Sequence, residues 1–315
     1  MLRPVLTRLL GLVLTLLAIS AAVFLVMSVL PGDPAAIMLG TSARPDTLAA
    51  LRSELGLDRP LPLRYAAWLT GLLTGDLGRS VTYGVPVAKL VLAGAAVTLP
   101  LAAMAILISL LLGLPLGVAA AARRGSAVDA GVSLFAQLGI ATPNFWIGLL
   151  LILVFAATLG WMPSGGFPGW QAGAAPALTA LLMPSIALAL PQAAVLARVT
   201  RTATLEVLGE DFVRTARAKG LSRRQALWRH AVPNALLPVI TIIGLQFTFL
   251  VAGAVLVENV FGLPGLGRLA MQALAQRDVT VMQVVVLLFA TLAIVVNVLV
   301  DLAYLALDPR LRNAA

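Results

Sequence analysis

The side chains that most often perform catalysis or bind metals are almost absent from this sequence. It has no cysteine, and His230 is its only histidine. Disulfides, thiolate catalysis and cysteine-type metal sites are therefore excluded, and a Ser-His-Asp triad or a histidine metal cluster is not expected. The lysines, Lys89 and Lys219, both follow alanine, so no Gly-Lys-Ser/Thr phosphate loop is present to bind ATP. We predict no catalytic residue, no metal and no cofactor bound by this chain.

A second set of chemically useful residues consists of uncharged amides inside long apolar stretches. Such side chains could line a polar passage, or they could form hydrogen bonds between packed helices. Both interpretations remain open at this point. The candidates for a polar passage are Gln137, Asn144, Gln192, Gln246 and Asn297.

The elements that position these residues are six apolar stretches, each long enough to cross a bilayer. The chain of 315 residues is 60% hydrophobic and only 11% charged, with a mean hydropathy of +1.00. This composition excludes a soluble enzyme and predicts an all-α membrane protein with six transmembrane helices. The first stretch is longer than the apolar core of a signal peptide, so we expect it to remain in the protein. The predicted spans cover 9–30, 91–122, 130–160, 178–197, 236–257 and 280–302.

The distribution of basic residues predicts the orientation of the bundle. An even number of spans places both termini, 1–8 and 303–315, on one side. That side receives fourteen Lys and Arg residues and the opposite side eight, so the termini are predicted to be cytoplasmic. Prolines within the spans predict kinked helices that pack against other protein. They are Pro100, Pro115, Pro143, Pro184 and Pro191.

The two longer outer segments differ in character. The first, 31–90, opens with a turn signal at 31–34 and contains two short helical patterns, at 48–55 and 63–73. It could be a lid on the outer face or a docking surface for an external partner. The other, 258–279, is rich in glycine and proline near its start, so we expect a tight loop that folds back as a plug.

The cytoplasmic segment 198–235 carries eight basic and three acidic residues. A helix is predicted over 203–219, with an apolar face formed by Leu205, Leu208, Phe212 and Ala216 and an exposed pair between Glu210 and Arg214. Gly220 provides a stop, and a Ser-x-x-Gln capping box at Ser222 begins a second helix that Pro233 limits. This segment could lie on anionic lipid or dock into a cytosolic partner.

Four stretches carry a resemblance to a known family. The segment Asp211-Phe-Val-Arg-Thr-Ala-Arg-Ala-Lys-Gly220, followed by Arg-His-Ala at 229–231, resembles the cytoplasmic loop of binding-protein-dependent ABC importer permeases of the dipeptide, oligopeptide and nickel branch. Of the generic loop motif of all such permeases, Ala216, Gly220 and Pro233 are kept. The other three stretches that resemble this branch are residues 56–80, Thr142-Pro143-x-Phe145-Trp146 and Glu258-x-x-Phe261-Gly262-x-Pro264-Gly265-Leu266-Gly267.

The resemblance implies a type I ABC importer permease, the first of a pair, located in the cytoplasmic (inner) membrane and surrounded by its lipid. Its partners would be a second homologous permease, two cytosolic ATPases that bind ATP and Mg²⁺, and an external solute-binding protein. Di- or oligopeptides would cross by alternating access. Because the basic residues flank the spans and no aromatic stacking platform accompanies them, we expect no nucleic-acid partner. A stand-alone carrier or channel with a lipid-binding loop is the main alternative, and a non-transporting scaffold is another.

The resemblance also assigns two sets of site residues. The coupling set, which would contact the ATPase, is Asp211, Arg214, Ala216, Arg217, Lys219, Gly220 and Ser222. The outer set, which would form the outer gate or contact the binding protein, is Tyr65, Trp68, Asp76, Glu258, Phe261, Pro264 and Gly265.

Overall fold

The computed structural model describes residues 2–29, 34–39, 44–54 and 56–307. Most of the turn predicted at 31–34, and the end of the C-terminal tail beyond residue 307, lie outside the described residues. The described chain is helical apart from its connections, which include one isolated antiparallel bridge between Arg79 and Pro86. Its helices are α1 (Leu2–Val29), α2 (Pro34–Leu39), α3 (Pro45–Glu54), α4 (Leu61–Thr74), α5 (Val87–Ala122), α6 (Ala127–Ala141), α7 (Asn144–Leu151), α8 (Ala174–Gly209), α9 (Asp211–Ala218), α10 (Arg223–Ala226), α11 (Val232–Val260), α12 (Leu266–Ala275) and α13 (Val279–Leu307). Two π-helical stretches, Ile152–Thr158 and Leu227–Ala231, extend α7 and join α10 to α11, and Trp170–Ala172 is a short 3₁₀ turn.

Five stretches within these helices are long and apolar enough to cross a membrane. They are Leu10–Val29, Val87–Ala122, Ala174–Gly209, Pro238–Val260 and Val279–Val300. A sixth crossing is formed when α6 is taken together with α7 and its π-helical extension. The result is the six-span bundle that the hydropathy predicts.

The sixth crossing is sharply bent at Thr142 and Pro143. The two segments, Ala127–Ala141 and Asn144–Thr158, meet at an angle of 102°. Proline disfavours helical backbone at the preceding residue, and Thr142 is extended, with φ −96° and ψ 124°. The predicted span 130–160 is therefore two helices rather than one rod.

The centre of the bundle is the packing of α5 against α8. Its small residues let the two backbones approach closely: a Cβ placed on Gly117 would lie 2.6 Å from the carbonyl oxygen of Ala197 and from the Cβ of Thr200. Gly113 makes a similar approach to Ala193 and Leu196. The main core extends from this seam to α11 and includes Leu101, Leu181, Leu188, Leu250 and Phe261.

The span predicted over 178–197 lies within a helix of 36 residues, α8, which includes Pro184 and Pro191 and continues to Gly209. The prediction of a single helix over 203–219 is wrong, because the helix is interrupted between Gly209 and Asp211. Glu210 is extended, with φ −69° and ψ 149°, and α9 begins at Asp211. Glycine is a weak helix former, and an acidic residue favours a helix start, so both residue types support a break at this point.

Candidate functional site

The predicted coupling residues form a compact hairpin, which we define as residues 211–231 and call the hairpin. It consists of α9, the turn at Gly220, α10 and the π-helical stretch Leu227–Ala231. Gly220 has φ +99°, a conformation that side-chain-bearing residues rarely adopt. The predicted stop at Gly220 is thereby confirmed.

The second half of the hairpin starts with a complete capping box. The backbone N–H of Gln225 donates to Ser222 Oγ at 3.3 Å, and the N–H of Ser222 donates to Gln225 Oε1 at 2.9 Å. The capping box predicted from residue types three positions apart is therefore confirmed. Pro233 does not end a helix there, since it lies in the first turn of α11, where proline is tolerated.

The hairpin is fixed to the bundle by an apolar underside. Val213, Ala216 and Ala226 are buried. Leu227 and Ala231 join Val118 of α5 and Val232 of α11 in one cluster. The hairpin is therefore packed against the ends of α5 and α11 through buried apolar side chains.

Two details of the helix predicted over 203–219 are wrong because the chain breaks at Glu210, between α8 and α9. Phe212 does not lie underneath and remains 45% exposed. Arg214 pairs with Asp211, at 3.3 Å, rather than with Glu210, which precedes the helix. The outward surface thus combines two exposed aromatic side chains, Phe212 and Trp228, with a ring of exposed basic ones: Arg214, Arg217, Lys219, Arg223, Arg224 and Arg229.

An ion pair near this end was not predicted. Arg201 of α8 donates to both carboxylate oxygens of Asp129 in α6, with Nη2–Oδ2 at 2.9 Å. The N–H of Gly125 donates to the same carboxylate at 2.9 Å. Asp129 is almost fully buried, and Arg201 is 72 residues away in the sequence, so no local pattern predicts this ion pair.

At the opposite end, which we call the loop end (residues 75–87, 160–173 and 261–278), Glu258 is completely buried. Thr98 Oγ1 donates to its Oε1 at 2.6 Å, and the N–H of Arg268 donates to its Oε2 at 3.0 Å. Leu266 N–H in turn donates to Thr98 Oγ1 at 2.8 Å. A carboxylate and a hydroxyl from two other helices thus cap the start of α12.

The predicted neighbours of Glu258 pack around it. A Cβ on Gly265 would run into the Glu258 carboxylate, so only glycine fits there. Phe261 is buried in the core, and its carbonyl accepts the N–H of Gly166 at 2.7 Å. Pro264 and Gly265 border a small cavity beside α5.

A second buried carboxylate, Asp278, lies just after α12. It accepts the hydroxyl of Ser80 and the N–H groups of Thr82 and Val281, the last two at 3.2 Å. Asp278 thereby begins α13 and ties it to the chain before α5. Among the described residues, no three His, Asp or Glu side chains come together as possible metal ligands.

The remaining outer residues hold the chain's own elements together. The Tyr65 hydroxyl lies 2.8 Å from Ser20 Oγ of α1. The ring of Phe24 meets the ring of Tyr65 edge-on and the ring of Trp68 at a tilt, at centroid distances of 5.4 and 5.7 Å. They attach α4 to α1. Asp76 accepts the N–H of Gly78 at 3.0 Å and shapes a turn.

The predicted path residues do not form one cluster. Gln246 is buried and donates to the backbone carbonyl of Gln192 at 3.1 Å, which joins α11 to α8. Asn144 packs against Gly253, and Asn297 is half-buried on α13. Gln137 is exposed and lines a groove between α6 and α8. For Gln246 the helix-joining interpretation is thus the observed one.

The fold and the two ends define the class: a polytopic all-α membrane protein with an anchored basic hairpin at one end and buried carboxylates fixing the other. Residues 113–313 match the model of the binding-protein-dependent transport system inner membrane component, and residues 1–87 match the corresponding N-terminal model. The chain belongs to this family of transport-system inner membrane components. It is a permease component of an ABC transporter complex, and the predicted family and fold class are confirmed.

Similar proteins agree with this membership. The chain is 40% identical to the probable peptide ABC transporter permease protein y4tP of Sinorhizobium fredii, over 98% of each chain. It is 42% identical to a putative peptide transport system permease protein of Brucella abortus, over 94% of this chain and 95% of that one. It is 40% identical to the glutathione transport system permease protein GsiC of Salmonella choleraesuis, over 99% of each. These comparisons give no support to a stand-alone carrier or channel.

Solved structures show the same fold. The inward-facing MetNI methionine ABC transporter aligns with a TM-score of 0.58 at 21% identity, covering 70% of this chain and 97% of that one. An amino acid ABC transporter aligns with a TM-score of 0.53 at 21% identity, covering 69% and 93%.

Proposed function

We propose that this chain is one of two homologous permeases of an importer that moves peptides across the inner membrane. The peptide class is supported by the names of the relatives that match over nearly the whole chain. The observation that carries the proposal is the hairpin, which is rigidly seated on α5 and α11 and presents aromatic and basic side chains outward.

The hairpin has the properties required of a contact that transmits force. Val213 and Ala216 of α9 are buried, and Leu227 and Ala231 of the hairpin pack with α5 and α11, so a displacement of the hairpin would be transmitted to those helices. Two cytosolic ATPases, with bound ATP and Mg²⁺, would each hold one such hairpin of the permease pair. Acidic rims on the ATPase would complement the six exposed basic side chains.

The orientation follows from this assignment. The hairpin lies on the cytoplasmic side together with both termini, and the loop end faces a solute-binding protein outside. The excess of basic residues around the hairpin agrees with this placement.

A substitution at Gly220 tests the coupling role. Gly220→Val forces a β-branched residue to φ +99°, which costs about 1–2 kcal/mol and reorients α9. We expect ATP-driven peptide uptake to fall at least tenfold while the chain still inserts into the membrane and still associates with the second permease. Gly209→Val is the matched control, because a Cβ there meets open space and the backbone is helical.

Uptake at wild-type level in Gly220→Val would contradict the coupling role. Partner identity is tested separately by gentle-detergent purification of the tagged chain followed by mass spectrometry. We expect a second six-span permease and P-loop ATPases. Recovery of the chain alone, under conditions that preserve a known ABC complex, would contradict the proposed assembly.

A further inference from the structure

A groove between α6 and α8 has features of a binding site for an anion. It encloses about 530 Å³, within the usual range of about 300–1,000 Å³ for small-molecule sites. Its walls are apolar where Val132, Ala136 and Ile140 line it, and polar where α8 contributes Arg198, Arg201 and Thr202. No acidic side chain is among the described residues that line it.

The two arginines of the groove differ in their state. Arg201 is held by Asp129 in a two-pronged ion pair, which neutralises its charge and fixes its position at the groove wall. Arg198 is exposed, and no hydrogen bond or ion pair engages its guanidinium within the described part of the chain. The groove therefore keeps one uncompensated positive charge.

Uncharged polar groups stand opposite this charge on α6. Ser133 and Gln137 line the groove four residues apart, and therefore lie on one face of the helix. A hydroxyl and an amide can donate to a carboxylate, and the amide oxygen can accept a peptide N–H. Polar side chains within a membrane helix generally face a water-filled cavity or the protein interior, so this face is suited to a hydrated path.

We infer that this groove holds the free carboxylate of a peptide during its passage, with Arg198 as the cation and Ser133 and Gln137 as hydrogen-bond partners. The inference rests on the proposed peptide transport and adds a specificity-determining residue to it. Arg198 lies eleven residues before the end of α8, about 16 Å along the helix axis, and is exposed, so the groove lies on the surface of this chain and away from the end of α8 that leads into the hairpin.

Cysteine labelling of the assembled transporter tests the site, because the chain has no cysteine of its own. In Ser133→Cys, we expect an anionic methanethiosulfonate reagent to react several-fold faster than a cationic one of similar size. Excess alanyl-alanine should slow this labelling at least fivefold, whereas its C-terminal amide should slow it little. Adding Arg198→Gln should remove both preferences, and Arg198→Lys should retain most of each.

Two matched controls accompany these variants. Leu134→Cys places the thiol on an exposed face of α6 that does not line the groove, so excess peptide should not change its labelling rate. Arg124→Gln removes an exposed arginine outside the groove, so the preferences of the thiol introduced by Ser133→Cys should survive.

Three outcomes would overturn the inference: a thiol in Ser133→Cys that no reagent reaches, equal protection by the acid and the amide, or preferences that persist in Arg198→Gln. Failure of the proposed function is distinguishable from these outcomes. An importer of another solute would show no ATP-dependent uptake of either peptide, whereas the Arg198-dependent preference for the anionic reagent would remain.

Discussion

The buried carboxylate of Glu258 shows how single residues fix the loop end. It has no cationic side chain beside it among the described residues; instead a hydroxyl and backbone N–H groups at the start of α12 donate to it. Fully desolvated charges are costly unless such donors surround them. The residue type and the glycine-rich run after it could be read from the sequence, but Thr98 lies 160 residues away and no local pattern pairs the two.

The hydroxyl of Thr98 is expected to be the critical donor. Thr98→Val keeps the shape but removes the bond to Glu258 and the acceptor of Leu266 N–H. We expect a loss of about 2–3 kcal/mol in the free energy of unfolding, since two buried polar groups lose a partner. Thermal unfolding of the purified complex measures it. Thr179→Val is the control, because that exposed hydroxyl bonds only within its own helix; an equal loss there would refute the assignment.

The ion pair between Asp129 and Arg201 is expected to contribute to stability as well. Asp129→Asn leaves Arg201 without its anionic partner at a largely buried position, where the two side chains are 8% and 28% exposed. Breaking this pair should therefore lower the melting temperature of the complex measurably. Asp211→Asn breaks a pair that is 94% and 73% exposed and should change stability by less than about 0.5 kcal/mol. Equal melting temperatures for the two variants would contradict this expectation.

At the scale of elements, some local signals were reliable, whereas the helix predicted over 203–219 and the pair predicted between Glu210 and Arg214 were wrong. The capping box at Ser222, the turn at Gly220 and the break at Pro143 follow from residue types within a few positions. The extension of α8 to Gly209 could not be placed, since periodic apolar residues continue on both sides of the break. Helix packing there is set by tertiary contacts, which periodicity does not report.

The close packing of α5 on α8 depends on glycine. A methyl group at Gly117 would lie 2.6 Å from Ala197 and Thr200, so Gly117→Ala must force the helices apart. We expect a loss of about 1–3 kcal/mol, the usual cost of overpacking, and reduced transport. Gly131→Ala on α6 meets open space and should be tolerated. The melting temperatures of the two variant complexes check this expectation. A Gly117→Ala complex that melts at the wild-type temperature would show that α5 and α8 can accommodate the added methyl group.

At the scale of the whole molecule, hydropathy and charge were enough to predict the number of spans and the helical class, and the four motif stretches were enough for the family resemblance. Hydropathy, charge and the motifs did not reveal which helices are joined by buried hydrogen bonds. The structure shows α12 fixed on both sides, at its start by Glu258 and Thr98 and beyond its end by Asp278 and Ser80. Thr98 belongs to α5 and Ser80 to the segment before it, so α12 is held once to α5 and once to the segment that precedes it.

This double attachment predicts how the loop end behaves during transport. Because α12 and the segment before α5 are joined by buried bonds, they should move as one body, and opening should occur elsewhere. Tyr83 and Gln272 line one small cavity across this seam. A short bis-maleimide bridge with a reducible disulfide linker, placed between Tyr83→Cys and Gln272→Cys, should therefore leave ATP-driven uptake within about twofold of the unbridged variant. Single-cysteine variants treated with the same reagent provide the control. If the bridge stops uptake and reduction of its disulfide restores it, the contact between Tyr83 and Gln272 must open during transport. The hydrogen bonds of the buried carboxylates Glu258 and Asp278 would then break and re-form in each cycle.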